Sequence, residues 1–185
     1  EGTSDISERF ARDVLVSLPP NSVVFSGLWD YFISPSMYLQ EVEKFRKDVL
    51  LIDFHLLKNR TWYYAQLERH APWLTTQCRS AIDSFLVELE KFERGEPFHP
   101  AIIQERWEGL LSAFVTKSLQ KYPVFVDVRV EKEFSSNFLR SPWGRLLRLW
   151  APSDSVIDYR LHTDFPLRRY QQSQGLVERD LELYC

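Results

Sequence analysis

The chain has 185 residues, 44% of them apolar and 15% aromatic with six Trp, and carries a net charge of −3. That length and apolar content suit one self-folding globular domain and exclude a disordered chain. Acidic and basic residues are interspersed without a basic block, which excludes the broad positive field that holds nucleic acid, and no apolar run approaches the roughly 20 residues that cross a bilayer. Glu1-Gly2-Thr3 has no signal-peptide character, so the chain as it stands is expected to be soluble, whether or not a leader or anchor belongs to a longer protein.

Asp5 to Leu18 predicts a helix with Asp5 as N-cap, Glu8 completing a capping box, and Ile6, Phe10, Val14, Leu15 and Leu18 on one face; Pro19-Pro20 stops it. Ser22 to Ser26 is a continuous apolar run, the pattern of a strand covered on both faces. Ser34-Pro35 opens a second helix whose buried stripe is expected at Met37, Tyr38, Val42 and Phe45. Asp48 to Leu57 predicts a second strand, and strand, helix, strand over this distance implies a parallel crossover. Trp62 to His70 predicts a short helix ended by Pro72. Arg79–Arg94 and Ala101–Leu119 are stronger helices, the first with Cys78, Ala81, Ile82, Phe85, Leu86, Leu89 and Phe92 on one apolar stripe, the second burying Ile103, Trp107, Leu110, Leu111, Phe114 and Val115. A third strand at Tyr122–Val128, a short helix at Glu131–Leu139 and, beyond Ser141-Pro142-Trp143-Gly144, a fourth strand at Leu146–Trp150 complete the pattern.

The expected architecture is α/β: a three-layer sandwich, Rossmann-like or flavodoxin-like, with about four mostly parallel strands in the order 2-1-3-4 and helices on both faces. The domain is expected over residues 1–152, with a helical insert at about 75–120 and a polar tail or linker at 153–185. Ligands in such sheets bind beyond the strand carboxyl ends at the switch point, which places Gly27, Trp29, Asp30 and Tyr31 opposite Asp127 and Arg129.

No glycine-rich fingerprint follows the first strand and Asp30 repels an anion, so neither a dinucleotide nor another cofactor is expected. Asp53 and His55, two apart on a strand, share one face; they are either an acid–base or metal pair or polar groups at a strand end. H-x-x-x-H, C-x-x-C and G-x-S-x-G are absent, so no catalytic residue and no metal centre is assigned. Trp29 and Tyr31, with Trp62 and Tyr63, either line a groove that stacks on sugar rings or a peptide, or cap the core. Cys78 and Cys185 read as a buried thiol and a terminal one, with a disulfide between them as the alternative.

The run Leu18-Pro19-Pro20-Asn21-Ser22-Val23-Val24-Phe25-Ser26, then Trp29-Asp30, Tyr38-Leu39-Gln40-Glu41-Val42-Glu43, Arg46-Lys47-Asp48-Val49, Leu56-Leu57 and Trp62-Tyr63, resembles the carboxy-terminal soluble region of bacterial multi-spanning membrane proteins related to protein O-mannosyltransferases, of GT-C type. Tyr122-Pro123-Val124-Phe125-Val126 and Gly144-Arg145-Leu146-Leu147-Arg148-Leu149 resemble its later strands more loosely. The family's loop after the first strand is Gly-Asp-Asn-Asp, so only Gly27 and Asp30 carry over. In such enzymes the lipid-linked sugar and the catalytic acid belong to the membrane-embedded part. The resemblance therefore implies a non-catalytic accessory domain on the periplasmic or extracytoplasmic side, partnered by that membrane portion and by a polypeptide or glycan acceptor. Two other readings stay open, a self-contained small-molecule enzyme using Asp30, Asp53, His55 and Asp127 and a pure protein-interaction module, and a cytoplasmic location is the alternative to the extracytoplasmic one.

Overall fold

The computed structural model describes residues 3–134 and 137–154, with side chains described from Ile6 onward. Strands β1 (Val23–Ser26), β2 (Leu50–Asp53) and β3 (Val124–Val126) are parallel, and a hairpin of β4 (Leu139–Trp143) and β5 (Leu146–Trp150) joins β3 in antiparallel register. The result is an open five-stranded mixed sheet in the order β2-β1-β3-β5-β4.

Alternate strand residues feed two apolar layers, because successive side chains on a strand point to opposite faces. Val24, Phe125 and Leu146 pack against helices α1 (Thr3–Ser17) and α2 (Ser34–Glu41). On the other face Val23, Phe25, Ile52, Val124, Val126 and Leu149 pack against α3 (Phe54–Asn59), α4 (Trp62–His70), α5 (Pro72–Gln77), α6 (Arg79–Glu93) and α7 (Pro100–Leu119). Rings run in series through this second layer: Phe25 on Phe134 at 5.4 Å, Phe134 on Phe54 at 6.0 Å, Phe54 on Trp107 at 5.4 Å and Trp107 on Phe85 at 5.5 Å between centroids. Each such buried ring contributes about 2–3 kcal/mol through burial alone. Phe85 beside Trp107 and Phe92 beside Phe98 set α6 and α7 antiparallel. The expected helical insert is thus one wall of the main core. Cys78 is buried at the start of α6, and burial pushes its thiol up to about 11.

The sequence expectation of about four mostly parallel strands is corrected by the hairpin. The stretch from Leu139 to Trp143 is a strand, and Gly144, at φ +57, takes the first central position of a two-residue turn into β5. Pro142 hides this strand from a propensity reading, but β4 lies at the sheet edge, where a missing N–H is tolerated. The second strand is shorter than expected, Leu50–Asp53 rather than Asp48–Leu57, because Asp53 accepts the Leu56 N–H at 2.7 Å and caps α3. The expected helix at 131–139 is a single 3₁₀ turn, Glu131–Glu133. The first helix starts at Thr3, ahead of Asp5, whose capping side chain lies outside the described residues, as do residues 155–185 of the expected tail, including Cys185.

The buried stripe expected on α2 is also corrected. A π-helical turn, Trp29–Ile33, precedes α2, and the Ile33 N–H reaches back five residues to the Leu28 carbonyl at 2.9 Å. Phe32, Ile33, Ser36 and Leu39 therefore face inward, while Met37, Tyr38 and Val42 are exposed. The helix ends at Glu41, before Lys44 and Arg46 enter the left-handed region at φ +58 and +48.

That left-handed loop is held by Arg46. Its guanidinium donates to the carbonyls of Leu15, Leu18 (2.9 Å) and Pro19 (3.0 Å), at and just beyond the α1 terminus, and it forks onto Asp48 at 2.8 and 2.9 Å. Asp48 also accepts the Asn21 N–H at 2.9 Å, so the entries of β1 and β2 are tied together. Gln40 completes the latch by donating to the carbonyls of Arg46 and Val49 at 2.9 and 2.7 Å.

Replacing Arg46 by Met should destabilise the fold by about 3 kcal/mol in urea denaturation, since several part-buried acceptors lose a charged donor at once. Hydrogen bonding from Arg46 holds the Asp48 carboxyl at about 2. A depressed folded-state value means that this stabilisation is complete above the ordinary carboxylate range, about 3.9, and is lost as pH falls toward 2. The acid limb of wild-type stability should fall in that window, and the Arg46→Met variant should show a flatter one.

Candidate functional site: a groove on the edge of β2

The switch point between β1 and β3 is filled. Asp127, fully buried at the end of β3, accepts from the Ser26 hydroxyl at 2.6 Å and from the Gly27 N–H at 2.6 Å through one carboxylate oxygen. Its other oxygen accepts the N–H groups of Arg129 and Val130 at 2.7 and 3.2 Å. Four donors leave this carboxylate no role toward a ligand, and they knit the ends of the two strands into one turn. A Cβ on Gly27 would lie 2.8 Å from His55 Nε2 and 3.0 Å from Val130 Cγ1. The glycine is needed because the chain approaches its neighbours so closely here, and the predicted crevice is packed shut.

His55 is an exposed residue in the first turn of α3, and Asp53 is the N-cap of that helix. The expected shared strand face is thus absent, and the pairing of these two residues for acid–base or metal chemistry falls with it. Among the described residues no cluster of His, Cys, Asp and Glu has the geometry to hold a metal ion. Arg129 is exposed beyond β3, and Asp30 is exposed on the π-helical turn. Tyr31 is half-buried against the α1 layer.

The remaining expected residues, Trp29, Asp53, Trp62 and Tyr63, come together elsewhere. They line a groove of about 730 Å³ that runs along the outer edge of β2. One wall is the π-helical turn and α2, with Trp29, Ile33, Met37 and Gln40; the other is α4 and its continuation, with Trp62, Tyr63, Gln66, His70 and Trp73. Tyr122 closes the end near Trp73, their rings edge to face at 5.2 Å. Trp29 is 45% exposed and Trp62 55% exposed, large apolar areas that the core does not use. Tyr63 is buried at its ring, and its hydroxyl, pushed up to about 12 by that burial, stays protonated and accepts the Asp53 N–H at 2.9 Å.

Met37, Gln66, His70, Trp73 and Tyr122 were missing from the sequence-derived set. A signal for two of them exists in the sequence: Gln66 and His70 follow Trp62 at i+4 and i+8 on one helix face, mixing aromatic and polar side chains where a core stripe would be apolar. Met37 was hidden by its assignment to the buried stripe.

Two stability measurements separate this groove from the closed switch point. Asp127→Ala should cost about 3 kcal/mol, because it orphans three main-chain N–H groups and a buried hydroxyl. Gly27→Ala should cost about 1–2 kcal/mol by overpacking, part of it recovered in the Gly27→Ala/His55→Ala double variant.

Residues 7–75 match the family model described as TMEM260-associated domain 2. The match covers less than half of the chain, from α1 into α5, and takes in the Arg46 latch and most of both groove walls. No curated protein and no solved structure shows significant similarity to this chain.

Proposed function

We propose that the chain is an accessory domain of a TMEM260-like, GT-C-type membrane glycosyltransferase, positioned on the extracytoplasmic side, and that its β2-edge groove receives the acceptor. One observation carries this reading. The exposed aromatics Trp29 and Trp62 face a common groove built almost entirely from the segment that matches the TMEM260-associated family model. Exposed Trp in a concave site supplies large stacking area at low conformational cost, which is what recognition of an extended polymer requires. Of the acids that an enzymatic reading would employ, Asp53 and Asp127 are engaged by main-chain N–H groups and the exposed Asp30 does not line the groove, which favours binding over chemistry at this surface. Among the described residues no helix is long and apolar enough to cross a membrane, so attachment to the bilayer rests on the rest of the parent protein in this proposal.

The test uses the full 185-residue chain with two probes: reduced, carboxymethylated lactalbumin as a permanently unfolded polypeptide, and mannohexaose as a glycan. One of them should bind, and Trp29→Ala and Trp62→Ala should each weaken that binding about tenfold in calorimetry, equivalent to about 1.4 kcal/mol. The melting temperature of each variant should stay within about 2 °C of wild type, since both side chains are half exposed. Binding of neither probe, or a thermal loss matching the affinity loss, rejects the proposal.

A further inference from the structure

Hydrogen-bond parity on the sheet identifies the kind of acceptor that the groove fits, an inference that rests on the reading above. In a parallel ladder the main-chain groups of successive residues point alternately to the two sides. Val23 N–H bonds Pro123 on the β3 side and Leu50 N–H bonds the Ser22 carbonyl on the β1 side, both at 2.9 Å. Leu50 and Ile52 thus serve the ladder with β1, and Val49, Leu51 and Asp53 turn their main-chain groups outward, into the groove. Gln40 occupies the Val49 carbonyl and Tyr63 occupies the Asp53 N–H. Between them Leu51 presents both its N–H and its carbonyl, and no described side chain bonds either one.

We infer that the groove takes an extended polypeptide segment, which pairs with Leu51 as an added strand and seats its side chains alternately against Met37 and Trp62. Three features of the site select this occupant. A donor and an acceptor on one residue of a sheet edge match the donor and acceptor of a single residue in an extended main chain. The two walls lie on opposite faces of the sheet, where alternate side chains of such a strand must go. The charge of the floor is small: Asp48 is paired with Arg46, and Glu41 and Lys47 are of opposite sign, which leaves the Asp53 carboxylate, held by the Leu56 N–H, so a neutral main chain fits better than an anionic ligand. The caps from Gln40 and Tyr63 leave room for one bridged residue, so the aromatic walls supply most of the contact and the Leu51 bridge sets register.

The experiment is amide hydrogen exchange on the full chain, alone and with carboxymethylated lactalbumin or mannohexaose. The polypeptide should slow exchange at the Leu51 amide at least tenfold and leave Leu50 and Ile52 unchanged, since those amides already belong to the ladder. Leu51→Pro, which removes the N–H on an edge strand, should weaken polypeptide binding about tenfold; if that variant fails to fold, the wild-type exchange result decides alone. Binding of mannohexaose only, with Leu51 unprotected, overturns this inference while the accessory-domain reading stands. Polypeptide binding without Leu51 protection overturns strand addition, and binding of neither probe overturns both.

Discussion

One guanidinium fixes the part of the molecule that matters most. Arg46 neutralises the carbonyl end of α1, pairs with Asp48, and through Asp48 reaches the Asn21 N–H where β1 begins. A planar five-donor group is suited to this, because it serves several acceptors at fixed angles where a lysine would serve them one at a time. The loop it holds contains left-handed Lys44 and Arg46, conformations that cost of order 1–3 kcal/mol each and persist only when their surroundings over-determine them. The return is the placement of β2 as a short edge strand beside β1, and the groove is a consequence of that placement.

A second constraint explains why the open groove lies at the sheet edge and away from the switch point. In doubly wound sheets the diverging loops at the switch point leave a crevice, but here Asp127 draws the ends of β1 and β3 together with four hydrogen bonds, and His55 and Val130 close over Gly27. The buried carboxylate is tolerated because each oxygen is fully served. Fold-level analogy locates the strand ends correctly and expects an open crevice that Asp127 closes, since the analogy carries topology and the crevice depends on side chains.

Much of this architecture was legible in the sequence where signals were local and strong. The helices Trp62–His70, Arg79–Glu93 and Pro100–Leu119 follow from apolar periodicity with clear stops, and β1 and β3 from continuous apolar runs flanked by turn residues. The failures have physical causes. Asp53, an aspartate inside an apolar run, ends β2 and caps α3, so the largely apolar residues Phe54 to Leu57 that read as more strand are helix. The extra residue in the π-helical turn sets the phase of α2, and with it the fate of Met37 and Tyr38. The β4–β5 hairpin depends on an edge position that excuses Pro142, and edge positions are a property of the assembled sheet. Of the groove lining, Trp29, Trp62, Tyr63 and Asp53 are named from the sequence, but they meet at the β2 edge and not at the switch point, because which edge of the sheet stays open is decided by long-range pairing.

The latch and the groove are coupled through Gln40. Its amide nitrogen donates to the Arg46 carbonyl inside the latch and to the Val49 carbonyl on the outer edge of β2. An open strand edge invites indiscriminate pairing, and proteins blunt such edges with covering side chains. Here Gln40 and Tyr63 cover the two outer positions and leave Leu51 between aromatic walls. The uncovered edge is therefore one residue long, and its width is set by a residue that also belongs to the latch. A change that loosens Arg46 removes one of the two carbonyls that hold Gln40, so the cover on the β2 edge is bound to the integrity of the loop that builds it.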